Sequence, residues 1–554
     1  MKRLDFSYCV VDIETDECGR PTDFGFYDGK EFLHFLDVDS FVCHMLDVGG
    51  VFYAHAGMRF DYCIIYKTLL RVSDSMNIVT SGTLGVYIFM EYTVDGEKRS
   101  IALLDSYRLL PAGLDKLAKQ FKTTEKIALS VMPWELSFEE RLEYLRHDCV
   151  ALYEVLSRFW EIIDERFSVL TKKKIRAVTL ASLSLKVFMK AFLKLPQGQS
   201  FMVSSGRLAE FEASSYFGGL VWVNPGVSSN RPHRVNVYDV NSMYPFVMSN
   251  SLYPYSYVGV WKDKFDPNSV GLWEIDYFSP GVPFVFDIPS RSISPEGRAI
   301  VDTDTVNYIR EIGGFVKVRL GYVYQRCDYI FKEFVETLYG LRMEFGNSTA
   351  MGFTCKILMN SLYGKFGEKT KKRILTTVEP PSVLGVKIYS SKDSDCTGTE
   401  VYDYFEDVSV RHRFVVLSSL VTLRARLHMR RLAQAVGDSV LYIDTDSLHV
   451  EVGASVDSLP VGSGLGALKP EFENVDAMYL GKKMYQFYDA SGALVKSVNK
   501  GVPASAMNVD FRSVQDAVCD FNSFSTLMEV VSDPIHEFRL VKKSRRIRNT
   551  VKRD

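Results

Sequence analysis

The segment Tyr442-Ile443-Asp444-Thr445-Asp446-Ser447 lies between the apolar runs Val440-Leu441 and Leu448-His449-Val450. Residues 440–452 therefore read as a hairpin with two carboxylates at its tip. Aspartate is unfavourable in strands, so a fold that keeps two of them there needs a reason. A plain turn is one, because Asp and Ser favour turns unaided. Taken alone, Asp-Thr-Asp-Ser fits that reading better. A further acid lies at a strand end, where Tyr238-Asp239-Val-Asn-Ser-Met-Tyr244-Pro245 follows strand signals at 235–240, and it is a third element between the two that overturns the plain turn. Hard divalent cations such as Mg²⁺ prefer carboxylate oxygen and share ligands with phosphates, and two of them can serve phosphoryl transfer.

A third element lies between these two. In Lys356-Ile-Leu-Met-Asn360-Ser-Leu-Tyr363-Gly364, a helix places Lys356, Asn360 and Tyr363 at i, i+4 and i+7, on one face. That face offers a cation for a triphosphate, an amide, and an aromatic ring for a base or sugar. A core helix would not put Lys and Asn on the stripe of its aromatic residue.

The order Asp-x-x-Ser-Met-Tyr-Pro, Lys-x-x-x-Asn-Ser-x-Tyr-Gly, Tyr-x-Asp-Thr-Asp-Ser resembles motifs A, B and C of family B DNA polymerases. Lys483-Met-Tyr485 resembles the K-x-Y motif that supports the primer end, and Tyr216-Phe-Gly218-Gly219 resembles the Y-x-G-G motif that joins nuclease and polymerase parts. The resemblance implies that Asp239 and Asp446 bind metal, with Asp444 as an additional ligand or structural carboxylate. It implies that Tyr244 lies under the incoming sugar, Lys356 holds the triphosphate, and Asn360 and Tyr363 line the nucleotide site. Arg342 is a second candidate for phosphate contact. Met243 stands where Leu is more usual, a near-isosteric change.

The N-terminal third carries its own acids. Asp12-Ile-Glu14 puts two carboxylates on one face of a strand, Asp61 follows a strand in His55-Ala-Gly-Met-Arg-Phe60-Asp61, and Tyr144-Leu-Arg-His-Asp148 sets a phenol one helical turn from a carboxylate. Four acids and a tyrosine suit a two-metal 3′–5′ exonuclease. Their order resembles the proofreading domain of the same family, with His55 and Phe60 as contacts to single-stranded DNA. One position departs: Ala56 stands where the family usually has Asn, which implies weakened positioning of the primer end.

The resemblance implies a multidomain α/β and α+β chain. An RNase H-like 3′–5′ exonuclease domain (1–185) precedes a right-hand polymerase domain. That domain divides into palm (186–252 and 414–503), fingers (334–367), thumb (504–554) and two insertions (253–333 and 368–413). The insertions and compact size resemble the protein-primed branch of bacteriophages and linear plasmids. There the insertions hold a terminal protein and encircle DNA for strand displacement. A primer-independent relative shares much of this layout. The implied cofactor is Mg²⁺, two ions per centre, with Mn²⁺ as an alternative. The implied partners are primer-template DNA, dNTPs, a terminal protein and a single-stranded DNA-binding protein, acting on a monomer. A non-catalytic DNA-binding scaffold and a nuclease-only enzyme are the alternatives. The aligned acids count against the first, and intact Lys356, Asn360 and Tyr363 against the second.

Composition fits a globular, cytoplasmic chain, in the host cell if viral. Its 554 residues are 47% hydrophobic and 24% charged. Nine dispersed cysteines suggest reduced thiols. The N-terminus turns acidic where a secretory signal needs apolar residues, and no apolar run reaches membrane-span length. The net charge of −2 argues mildly against nucleic acid, but it averages two acidic centres against basic regions. One of these is the tail 542–554. Another is 172–194, with Lys172, Lys173, Lys174, Arg176, Lys186, Lys190 and Lys194 and no acid. The latter reads either as a solvated face or as a phosphate-contacting surface.

Overall fold

The computed structural model describes residues 7–81, 84–171, 173–368, 371–379, 389–392, 400–407, 412–502, 509–513, 517–524, 540–547 and 550–551. Two large sheets dominate it. The N-terminal one has ten strands, with Glu97–Asp105, Gly50–Ala54 and Tyr8–Thr15 parallel at its centre. Along Tyr8–Thr15 the side chains alternate between faces, as strand geometry requires. Val11 and Ile13 join a core with Phe41, Ile65 and Leu69, whereas Val10 joins a core with Cys149 and Leu152. Asp12 and Glu14 share the face of Val10. The helix Phe138–Ile163 covers that face and is opened by a capping box between Ser137 and Glu140. Its buried stripe includes Tyr144, Leu145, Asp148 and Cys149, so its 3.6-residue period aims Tyr144 and Asp148 at the acidic face of the strand.

Three strands of this sheet come from far along the chain. Lys371–Thr376 pairs with Ser75–Ser81, Ile374 opposite Val79, and Glu400–Asp407 and Tyr389–Lys392 extend the edge. The strands Lys371–Thr376, Tyr389–Lys392 and Glu400–Asp407 are thus part of the N-terminal sheet, and Leu375 is buried in its core.

The second sheet has seven antiparallel strands in the order Leu494–Asn499, Met484–Tyr488, Leu468–Gly481, His233–Val240, Ser447–Glu451, Val440–Asp444, Val221–Val223. Behind it runs the helix Val415–Val436, and beside it stands a helical pair, Lys332–Phe345 and Ala350–Phe366. Residues 253–333 form a separate four-stranded sheet around Val270–Phe278. One continuous core runs from Val10 and Leu152 through Phe188 to Leu358 and Met248, so the two halves bury apolar surface against each other.

The described part of the basic stretch, 173–194, is part of this join. It contains the helix Leu180–Val187, whose Ser184 hydroxyl donates to the Leu358 carbonyl at 2.7 Å. Arg176 pairs with Asp164, Lys194 with Glu333, and Lys186 donates to the Arg176 carbonyl. Among the described residues no helix is long and apolar enough to cross a membrane.

Candidate active sites

Asp12, Glu14 and Asp148 bring one carboxylate oxygen each within 4.8 Å of one another. Asp61, the first residue of the helix Asp61–Val72, lies beside them, 1% exposed, and accepts the Ile13 amide at 3.0 Å. Burial and mutual repulsion hold these acids above the carboxylate range. Glu14 is pushed to about 7 by burial and Asp148, and Asp61 to about 8 by burial and Glu14. Asp12 is raised by burial, Asp61 and Asp148.

Lys126 is the cation here, with Nζ 2.5 Å from Asp148 Oδ2 and 4.7 Å from the centre of the Tyr144 ring. The Tyr144 phenol is pushed to about 12 by burial and Asp148. One lysine does not balance four acids, and Asp148 Oδ1 is buried without a hydrogen-bond partner. A cluster of carboxylate oxygens with an unpartnered buried atom fits a hard divalent cation. Lys126 was missed in the sequence reading, since it lies in an irregular segment without periodicity.

The loop that carries Asp61 starts at His55, whose ring nitrogens lie 2.9 Å from Ser106 Oγ and 3.0 Å from the Ala112 carbonyl. Burial lowers its pKa to about 4, so the ring is neutral and occupied within the protein. Ala56 follows at φ 62, a left-handed conformation that costs a non-glycine residue on the order of 1 kcal/mol and suits Asn or Gly better. The Phe60 ring meets Phe524 of the C-terminal strand Ala517–Phe524 edge-on at 5.2 Å.

In the second sheet, Ser447 pairs with Asp239, and the Val240 amide donates to the Asp446 carbonyl at 2.8 Å. This register sets Asp239 beside Asp446. Asp239 is pushed to about 7 by burial, Asp446 and Glu471, and Asp446 is raised by burial and Asp444. Both line a cavity of about 560 Å³ together with Tyr244, Arg342, Lys356 and Asn360. Two half-buried carboxylates held side by side also fit a divalent cation.

Asp444 does not line this cavity. Its Oδ1 accepts from Lys483 Nζ at 2.7 Å and from Thr445 Oγ1 at 3.2 Å. Tyr485 is 4% exposed, its ring among Tyr442, His449 and Phe487. Tyr363 lies against Tyr244 at 4.5 Å between ring centres, and its carbonyl accepts the Ser418 hydroxyl. Arg342 donates to Ser242 Oγ and Asn347 Oδ1, at 2.9 and 2.7 Å.

Tyr216 stands next to Tyr363, its phenol pushed to about 12 by burial and that neighbour. Gly218 contributes its carbonyl, 2.7 Å from a guanidinium nitrogen of buried Arg426. Gly219 faces the turn at Asp444–Asp446: a Cβ there would stand 2.7 Å from Thr445 Cγ2. The Thr445 amide donates to the Leu220 carbonyl at 2.7 Å, and Thr445 sits at φ 65, an outlier for a β-branched residue. Sequence reasoning missed Arg426 and Glu471. Arg426 had a signal, an arginine on the apolar stripe of a buried helix.

A family model described as DNA polymerase type B, organellar and viral, matches residues 131–279 and 306–407. The chain is 24% identical to a probable DNA polymerase of Neurospora intermedia over 80% of its own length and 52% of that protein's. A probable DNA polymerase of Ascobolus immersus is likewise 24% identical, over 86% of this chain and 45% of that one. The chain therefore spans about half the length of these fungal relatives. The DNA-directed DNA polymerase of Enterobacteria phage PRD1 is 25% identical over 92% of this chain and 88% of its own. Among solved structures, phi29 DNA polymerase complexed with primer-template DNA and incoming nucleotides superposes with a TM-score of 0.78 at 19% identity. That match covers 98% of this chain and all of the other. The resemblance carried by the motifs is thus shared by the sequence as a whole and by the multidomain α/β fold.

Proposed function

We propose, from the premise that this chain is a relative of the organellar and viral type B DNA polymerases in sequence and in fold, that it is a template-directed DNA polymerase with a 3′–5′ proofreading exonuclease. The single observation that carries this reading is the cavity in which Asp239 and Asp446 face Tyr244, Arg342, Lys356 and Asn360. It joins a carboxylate pair to cations and an aromatic ring at the scale of a nucleotide.

In this reading Asp239 and Asp446 hold Mg²⁺, or Mn²⁺ in its place. Bound there, the ions lower the pKa of an attacking hydroxyl and stabilise charge on the leaving oxygen. Lys356 and Arg342 orient the triphosphate so that the primer 3′-oxygen attacks the α-phosphorus and pyrophosphate departs. Tyr244, braced by Tyr363, closes the floor under the sugar and excludes a 2′-hydroxyl. Asp444 acts through the turn, held by Lys483. Asp12, Glu14, Asp61 and Asp148 form the metal-binding set of the nuclease, with Lys126 and Tyr144 orienting Asp148. His55 fixes the loop that carries Phe60 and Asp61.

The proposed divisions are nuclease (1–185), palm (186–252, 414–503), fingers (334–367), thumb (504–554) and two insertions (253–333, 368–413). The branch reading is initiation on a terminal-protein hydroxyl. It is supported by the presence of both insertions, the first folded as its own sheet and the second built onto the nuclease sheet. A single-stranded DNA-binding protein completes the proposed set of partners.

Primer extension on a defined template with Mg²⁺ tests the polymerase. Wild type should extend the primer and Asp239→Asn should not; extension by both would overturn the assignment. Incubation with the terminal protein and a labelled dNTP tests the branch. A covalent nucleotide–protein adduct supports it, and extension of DNA primers without any adduct contradicts it.

A further inference from the structure

Phe217, the variable position of Tyr216-Phe-Gly-Gly219, carries no role in the motif itself. In the fold its ring stacks on Phe286 of the first insertion, with ring centres 4.7 Å apart and planes 7° from parallel. Each ring also carries a cation. Arg291 lies over Phe217 at 5.2 Å, and Arg426 lies over Phe286 at 5.1 Å. Neither ring belongs to the continuous core, so the stack is a separate bridge between the insertion and the loop 216–220.

The insertion side of this bridge is a defined hairpin. Val285–Asp287 pairs with Ser292–Ser294, Phe286 opposite Ile293. The Asp287 carboxylate accepts the amides of Ser290 and Arg298 at 2.9 and 3.0 Å, which ties the turn to the strand Glu296–Asp302. Residues 289–292 at the tip are exposed. The place of Phe286 is therefore set within the insertion.

The loop side runs directly to the carboxylates. The Arg426 guanidinium donates to the carbonyls of Phe217 and Gly218 at 3.3 and 2.7 Å. Gly219 follows against the Thr445 side chain, and the Leu220 carbonyl accepts the Thr445 amide at 2.7 Å. Val221–Val223 then pairs with Val440–Asp444, Val221 opposite Asp444. This strand is three residues long and stands at the edge of its sheet, so its ladder alone resists local opening weakly. The loop before it decides how firmly the turn with Asp444 and Asp446 is seated.

Resting on the polymerase reading, we propose that Phe286 and Phe217 are positioning residues for the polymerase carboxylates. Their stack clamps the loop 216–220 and so seats the turn that carries Asp446. The first insertion then serves the chemistry at Asp446 without touching the nucleotide.

Hydrogen exchange in the metal-free protein and steady-state primer extension in Mg²⁺ test this with Phe286→Leu, Phe217→Leu, the double variant and Phe286→Tyr. Leucine keeps apolar bulk and removes the stack, worth about three- to tenfold in an opening equilibrium. The peptide containing Thr445 should exchange faster by that factor in either single variant. It should exchange no faster still in the double variant, because both changes remove one contact. For extension, kcat should fall by a similar factor while KM for dNTP stays within about twofold. Phe286→Tyr, which keeps the ring, should restore both quantities. Degradation of single-stranded DNA and exchange in Tyr8–Thr15 should be unchanged, which reports an intact fold.

If exchange at Thr445 stays as in wild type, or if the single effects add in the double variant, the clamp is refuted and the polymerase reading stands. If exchange rises but kcat does not fall, the stack seats the turn without serving catalysis, and the proposal is refuted likewise. If wild type itself extends no primer, the polymerase reading falls and takes the proposal with it.

Discussion

The ammonium of Lys483 stands 2.7 Å from Oδ1 of Asp444, and this contact separates two carboxylates that lie two residues apart. Asp444 is neutralised in place, while Asp446 turns into the cavity beside Asp239. The proposed consequence is a graded response to substitution. Asp444→Asn should slow primer extension by about 10- to 100-fold, as for a group that acts by orienting others. Asp446→Asn should slow it on the order of a thousandfold or more. Lys483→Ala should resemble Asp444→Asn. Single-turnover extension rates check the ranking, and equal losses for both aspartates would contradict it.

Gly219 gives a second outcome. A methyl group there meets Thr445 Cγ2 at 2.7 Å, closer than carbon atoms approach without displacement. Gly219→Ala should therefore shift the Asp444–Asp446 turn and cost extension about tenfold or more. Degradation of single-stranded DNA should be retained. Loss of both activities together would point to a folding defect instead.

Ala56 gives a third. Its φ of 62 strains an alanine, and Asn or Gly tolerates it. Ala56→Gly should raise stability by on the order of 1 kcal/mol. Ala56→Asn should raise both stability and the rate of single-strand degradation, since it restores the amide that the family pattern places there. Thermal unfolding and a 3′-end degradation assay check the pair, and lower stability in both would contradict the conformational argument.

The acids around Asp12 give a pH dependence. Glu14 at about 7 and Asp61 at about 8 lie above the values for unfolded carboxylates. Between about pH 5 and 8 the folded, metal-free protein therefore binds more protons than the unfolded chain, so its stability falls as pH rises. A divalent cation reverses this by pairing with the ionised acids. In EDTA, the unfolding midpoint should drop from pH 5 to pH 8, and added Mg²⁺ should raise it more at pH 8. A midpoint in EDTA that does not fall over this range would contradict the cluster's electrostatics.

What the sequence made legible was local. Asp12 and Glu14 follow from a period of two, Asp148 and Tyr144 from a helical turn, and Lys356 and Asn360 from one helix face. Each of those faces is buried or shared as the spacing implied. What stayed hidden depends on residues distant in the chain. No local pattern says that Lys483 pairs with Asp444, or that Lys126 in an irregular segment meets Asp148. Nor does any local pattern pair Ile374 with Val79, which joins the strand Lys371–Thr376 to the N-terminal sheet. In the basic stretch, Lys173, Lys174, Lys186, Lys190 and Lys194 are exposed, as the reading of a solvated face expects, whereas Arg176 is buried in an ion pair with Asp164, which no local pattern signals.

In the proposed function, one chain carries two separate carboxylate centres with different chemistry. The most direct measurement is a single gel assay of a labelled primer on its template, with and without dNTPs, comparing wild type, Asp12→Ala and Asp446→Ala in Mg²⁺. Wild type should extend with dNTPs and degrade without them. Asp12→Ala should extend but not degrade, and Asp446→Ala should degrade but not extend. A chain that does neither in Mg²⁺, or variants that lose both activities together while remaining folded, would contradict it.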